Sequence, residues 1–127
     1  MPTIERDVVA TVENAIRARA ARQEVLAANI ANQDTPGYKR ADLEFGDALV
    51  AATSLVRTDP RHIAAGGEAP AGTHRVIDTS AVRPDGNNVN PDREAVLLTR
   101  NATSFVQQTE VLSRLLALRR AAVTGGG

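Results

Sequence analysis

Apolar residues recur near the start of the chain at alternating spacings of three and four: Val9, Val12, Ile16, Leu26 and Ile30, with Arg19 and Gln23 filling the positions between. That rhythm draws one stripe along a helix and predicts a helix from about Ile4 to Asn32 that buries the stripe against another helix. Val8, Ala15 and Val25 widen it. Thr3 suits the N-cap, and Glu5 and Asp7 put negative charge where the helix dipole favours it. The same spacing returns at the other end, through Leu98, Ala102, Phe105, Thr109, Leu112, Leu116, Arg119 and Val123, broadened by Leu97, Leu115 and Leu118. Asn90 is a good N-cap for this second helix, Pro91 a favoured first residue, and Asp92 and Glu94 complement its dipole. At about 1.5 Å per residue each helix reaches roughly 45–50 Å.

Between the helices the pattern breaks. Asn29 and Asn32 lie three apart, on one face of the first helix near its end, where Asn side chains bond backbone groups or tolerate a left-handed conformation. Pro36 cannot continue the helix and drives Thr35 towards extended geometry. Pro36-Gly37 suits the central positions of a type II turn, with Gly supplying the positive φ. Tyr38, Leu43 and Phe45 then form a half-apolar extended segment. Residues 47–56 are compatible with a short helix or an ordered loop, and beyond them Asp59-Pro60, Gly66-Gly67, Pro70, Gly72, Pro84 and Asp85-Gly86 punctuate the chain. Val76 and Ile77 give His74 to Val82 a weak strand character.

The expected fold is therefore mainly α: long N- and C-terminal helices paired as an antiparallel coiled coil, with an irregular, partly β middle. It divides into a first helix over 1–32, a turn and loop-rich middle over 33–90, and a second helix with a Gly tail over 91–127, together one domain. Val12, Ile16, Leu26, Ile30, Phe105, Leu112 and Leu116 are the expected packing residues of the helix pair and of contacts between subunits. Two helices lack the further wall that would cover both stripes, so the subunit is expected to be marginal alone and finished by its neighbours.

Composition narrows the function. Aromatics make up 2% of the chain and Trp is absent, which argues against a large catalytic core. Fifteen basic and fifteen acidic residues cancel, removing the overall electrostatic case for nucleic acid. The patch Arg17, Arg19 and Arg22 reads as a solvated face, since stacking aromatics and net positive charge are both missing. With no cysteine, disulfides and thiolate chemistry are excluded. Met1 to Asp7 lacks an apolar signal core and no segment approaches membrane-spanning length, so the residues by themselves point to the cytoplasm.

Candidate catalytic or metal residues are few. His62 and His74 are the only histidines and lack the spacing of a helical metal pair. Asp85 to Asn90 has the outline of a calcium loop, but Val89 stands at a ligand position, Asn90 replaces the required glycine and Val96 the closing glutamate. A turn leading into a helix cap is the better reading. Asn101-Ala102-Thr103 matches the glycosylation pattern inside a predicted helix, a chance occurrence. No catalytic residue, metal site or cofactor is expected.

Asn29-x-x-Asn32-x-x-Thr35-Pro36-Gly37-Tyr38 after a long helix resembles the N-terminal signature of the flagellar rod and hook proteins. Thr58-Asp59-Pro60-Arg61-His62-Ile63 and the run from Asp85-Gly86-Asn87 to Asp92-Arg93-Glu94 are similar to later segments of the same family, in the same order. Pro91 within the last segment, Asn90 where Asp is common, and the ending at Leu115-Leu116 and the Gly tail depart from the family pattern. The 127 residues leave no room for the extra β-rich domain of distal rod and hook members, so the resemblance is to a short proximal-rod member. It implies a structural subunit of the flagellar basal-body rod that joins the membrane ring complex to the rest of the rod. It also implies export through the flagellar type III apparatus, residence in the rod within the periplasmic space, and partners among other rod proteins, membrane-ring and ring-rod junction proteins and that apparatus. Asn29, Asn32, Thr35, Pro36, Gly37 and Tyr38 would set the angle at which the chain leaves the first helix, and Asn90, Pro91, Asp92 and Glu94 would begin the second. The alternatives are a soluble cytoplasmic coiled-coil adaptor or export chaperone and, within the family, the other short proximal-rod protein.

Overall fold

The computed structural model of the chain describes residues 3–45, 73–80 and 83–125. Four elements follow one another: α1 (Thr3–Ala31), β1 (Ala41–Phe45), β2 (Thr73–Ile77) and α2 (Pro91–Thr124). The helix or loop expected over 47–56, the segment 58–63 with His62, and Gly66-Gly67 lie outside the described residues. The two helices run antiparallel. Asn29, near the end of α1, meets Glu94 at the start of α2, while Asn101, about two turns further along α2, reaches back to Arg19 and Gln23. α1 starts at Thr3 itself, slightly ahead of the start expected from the capping pattern.

The face that α2 turns to α1 is rotated from the one its leucines suggest. Leu98, Asn101, Phe105, Gln108, Leu112, Leu115 and Arg119 are buried or half-buried, still in a four-three rhythm. Asn101 joins the expected, half-buried Ala102, while Gln108 and Leu115 take the places expected for Thr109 and Leu116. Thr109 is exposed and returns its hydroxyl to the Phe105 carbonyl at 2.8 Å, and Leu116 is 39% exposed. Adjacent leucines at 115 and 116 leave the rotation of the helix open. The side chain of Asn101 fixes it by bonding to the α1 backbone. On α1, Leu26 is fully buried and Val12, Ile16 and Ile30 are half-buried.

β1 and β2 pair antiparallel, from Ala41 opposite Ile77 to Phe45 opposite Thr73. β1 leans on α1 with Ala41 and Leu43 inward. β2 is an exposed outer strand that ends at Ile77, short of the Val82 limit suggested by the sequence. Glu44 and His74 form an exposed cross-strand pair at 3.2 Å. Among the described residues the buried apolar core is small: Ala18, Leu26, Ala41, Leu43 and Val89. The buried polar residues are Asn29, Arg40, Thr73, Asn87, Asn88, Glu94 and Asn101, so hydrogen bonds carry much of the definition of the fold. No described helix is long and apolar enough to cross a membrane.

Among the described side chains of α1, Leu26 is the one large apolar residue at full burial. Leu26→Ala is expected to cost about 2–5 kcal/mol, whereas Leu118→Ala, at a position 68% exposed, is expected to change stability by less than about 0.5 kcal/mol. Urea denaturation followed by circular dichroism measures both.

Candidate functional site

The chain leaves α1 through a compact polar knot. Asn32 closes the helix: its side-chain nitrogen donates to the Ala28 carbonyl at 2.8 Å, which also accepts from the Asn32 backbone N–H at 3.0 Å. Its side-chain oxygen accepts from the Thr35 hydroxyl at 3.1 Å. The Tyr38 N–H donates to the Thr35 carbonyl at 3.2 Å, and Gly37 sits at φ 73°. Thr35 to Tyr38 is thus a turn with Pro36-Gly37 at its centre, of the geometry in which the third residue requires positive φ. Pro36 and Gly37 are exposed and Tyr38 half-buried.

Asn29 is the pivot. Fully buried, it uses its amide as a surrogate strand: the nitrogen donates to the Ala41 carbonyl at 2.7 Å and the oxygen accepts from the Ala41 N–H at 3.0 Å. The same nitrogen donates to Glu94 Oε2 at 2.9 Å, and the same oxygen accepts from the Tyr38 hydroxyl at 3.2 Å. All four of its hydrogen-bonding positions are used. The amide therefore joins α1, β1, the turn and α2 at one point.

Glu94 gives that point its charge. The sequence places it in the first turn of α2 as a complement to the dipole; there that turn packs onto the knot, and Glu94 is fully buried. Arg40 answers it, with Nε 2.5 Å from Oε1. Arg40 also lies 3.6 Å from Asp42, which Arg22 grips through two bonds of 2.7 and 3.0 Å. Burial opposes the charge on Arg40, but its hydrogen bond and attraction to Glu94, with Asp42 adding to them, hold the guanidinium pKa above its usual value. Burial likewise opposes the charge on Asp42, and the bonds and charge of Arg22, the Leu43 N–H and Arg40 outweigh it, so its pKa falls. Arg22 and Arg19 lie against the Phe45 ring, at 5.7 and 4.5 Å from its centre. The basic patch expected to be solvated is thus partly structural: Arg17 is exposed, while Arg19 and Arg22 fasten β1 to α1.

A second turn closes the knot from the α2 side. Gly86, at φ 81°, faces Gly37, where an added Cβ would make ordinary contact, 3.5 Å from the Gly37 Cα. The Gly37 N–H donates to the Asp85 carbonyl at 2.9 Å, and Lys39 Nζ to the Gly86 carbonyl at 2.5 Å. Asn87 donates to the Asn32 and Thr35 carbonyls at 2.9 and 2.8 Å. Asn88 closes the end of the strand pair, its amide accepting from the Arg40 N–H at 2.7 Å and donating to the Asp78 carbonyl at 2.8 Å. Arg83 donates to the carbonyls of Gln33 and Val89. Asn90 then caps α2, accepting from the Asp92 and Arg93 N–H groups, with exposed Pro91 and Asp92 following.

The knot therefore gathers Asn29, Asn32, Thr35, Pro36, Gly37 and Tyr38 with Glu94 and the start of α2, whereas Val12, Ile16, Phe105, Leu112 and Leu116 lie away along the helix pair. Arg40, Asp42, Arg83, Asn87 and Asn88 are the members that the sequence does not single out by role. Their signals are faint: alternating charges about Ala41, and paired asparagines after an Asp-Gly turn. Among the described residues no group of three or more His, Asp or Glu could hold a metal ion, and the asparagine amides of 85–90 are spent on backbone groups. Asn101, the residue of the glycosylation pattern, is buried in the helix pair and closed to such modification.

The family described as Flagella basal body rod protein matches residues 11–39, most of α1 with the turn. Proteins named flagellar basal body rod protein FlgB are similar over most of the chain. That of Escherichia coli is 35% identical over 114 residues, covering 80% of this chain and 81% of its own. That of Cereibacter sphaeroides is 32% identical over 123 residues, covering 94% and 96%, and that of Salmonella typhimurium 35% over 127 residues, covering 90% and 91%.

Two outcomes follow from the charges. Glu94→Ala leaves the buried Arg40 only its longer contact to Asp42 and is expected to cost about 3–5 kcal/mol, far more than the joint replacement Arg40→Met/Glu94→Leu; denaturant midpoints compare them. Asp42 is more acidic folded than unfolded, so below its ordinary pKa of 3.8 the unfolded chain takes up the proton first. Its contribution is complete above that pH and is lost as pH falls through the folded-state value. In thermal melts between about pH 6 and 3, Asp42→Asn is expected to flatten the acid limb of the stability profile.

Proposed function

We propose, because the chain belongs to the FlgB family of flagellar basal body rod proteins, that it is a structural subunit of the proximal rod that links the membrane ring complex to the rest of the rod and self-assembles through its terminal helices. The family is structural, not enzymatic. Beyond membership, one observation carries the reading. α2 leaves Val106, Val111, Leu116, Leu118 and Val123 exposed along its length, apolar surface that a lone helix pair cannot cover and that lateral neighbours in a helical array would. In this reading the knot holds the direction in which chain leaves α1 constant from copy to copy. Val12, Ile16, Leu26, Ile30, Phe105 and Leu112 hold the pair together, and Leu116 meets a neighbouring subunit. Other rod proteins, membrane-ring and ring-rod junction proteins and the type III export apparatus are the partners this role calls for.

A free coiled-coil adaptor or export chaperone would use the same exposed stripe to form a stable helical oligomer in solution, and no observation favours it over the rod.

Deletion of the gene, with basal bodies imaged by electron microscopy, tests the role. Rings without a rod, restored by the supplied gene, are expected; complete rods in the deletion strain would overturn the proposal. In the same assay Gly37→Val is expected to reduce rod assembly. An added Cβ there meets nothing within 4 Å, so the effect would come from the φ of 73°, which costs a branched residue about 1–3 kcal/mol.

A further inference from the structure

Asn101 sits in the middle of the helix pair, 1% exposed, between Leu98 and Phe105 in the buried rhythm of α2. Its amide nitrogen donates twice across the interface, to the Arg19 carbonyl and to Gln23 Oε1, both at 2.8 Å. Its oxygen is buried without a partner, as are Arg19 Nε and Gln108 Oε1. An apolar residue would avoid the buried oxygen without a partner. The position is therefore poorly explained by stability alone.

We propose that Asn101 sets the register of the helix pair, rejecting slipped pairings that the apolar residues alone would accept. Leu98, Phe105 and Leu112 stand seven apart, so a slip of one heptad puts apolar residue in place of apolar residue along α2. Asn101 breaks this equivalence. A slip in one direction carries it from Arg19 and Gln23 to Val12 and Ile16; a slip in the other carries it to Leu26 and Ile30. Neither pair offers a side-chain acceptor, and the buried amide then loses the Gln23 bond. A groove of about 320 Å³, partly open to solvent, runs beside Arg19, Gln23, Asn101, Ala102 and Phe105. The inference rests on the fold and not on the rod assignment.

The test labels cysteines introduced at exposed Ala10 and Ser113, on facing stretches of the antiparallel pair, in a chain with no cysteine of its own. Spin-label distances are read in a stabilising osmolyte, which favours the compact state, alongside helicity by circular dichroism. Four chains are compared: the labelled parent, Asn101→Leu, Arg40→Met/Glu94→Leu, and the triple replacement. A single distance population is expected in the parent and in Arg40→Met/Glu94→Leu, with undiminished helicity in Asn101→Leu. The triple replacement is expected to gain a population with the helices offset by about 10 Å along their axes. A parent-like single population in the triple replacement would overturn the proposal. An offset in Arg40→Met/Glu94→Leu would overturn it too, by assigning register to the ion pair, and so would loss of helicity in Asn101→Leu. If Arg40→Met/Glu94→Leu does not fold, Asn101→Leu decides alone: an offset population supports the proposal and a single parent-like one overturns it.

Discussion

A carboxylate with no exposure to water is costly to bury unless charge and hydrogen bonds meet it there. Glu94 is such a group, and meeting its needs organises the molecule. Arg40 supplies the counter-charge and Asn29 a donor, and each is useful only if β1 lies along the end of α1 while α2 starts beside both. Three stretches remote in sequence must therefore arrive together. The arrangement is demanding rather than strongly stabilising, since the attraction between buried charges is offset by the water they lose. Its value lies in exclusion: other directions of the chain after α1 leave a buried charge or a buried amide without partners.

Helices, turn and antiparallel pairing are legible because each rests on local or periodic chemistry. Apolar spacing marks α1 and α2, Pro36-Gly37 marks the turn, and Asn90-Pro91 marks where α2 begins. Asn87, Asn88 and Asn101 are harder to read. Their partners are main-chain groups of distant segments, and a carbonyl carries no residue identity for a sequence pattern to record. Arg19 and Arg22 look like a solvated patch for a related reason. Phe45 and Asp42, which draw them in, come from a strand whose position depends on Asn29.

The rotation of α2 lies between these cases. Its period is plain, but apolar residues at 97 and 98 and at 115 and 116 allow neighbouring faces to serve equally well. Polar contacts choose between them, through Glu94 at the start of the helix and Asn101 further along. Apolar pattern thus specifies that the helices pair, and amides and charges specify how.

The knot also lies at one end of the helix pair rather than at its middle. The 29 residues of α1 and 34 of α2 extend from it like the arm of a lever. Over an arm of about 45 Å, a tilt of about 5° at the knot displaces the far tip by roughly 4 Å, about three-quarters of the rise of a helical turn. Small errors in a few short hydrogen bonds are thereby magnified into misplacement of a whole contact surface. A hinge of saturated amides, stiffer than one of sliding aliphatic contacts, is the mechanical counterpart of so long an arm.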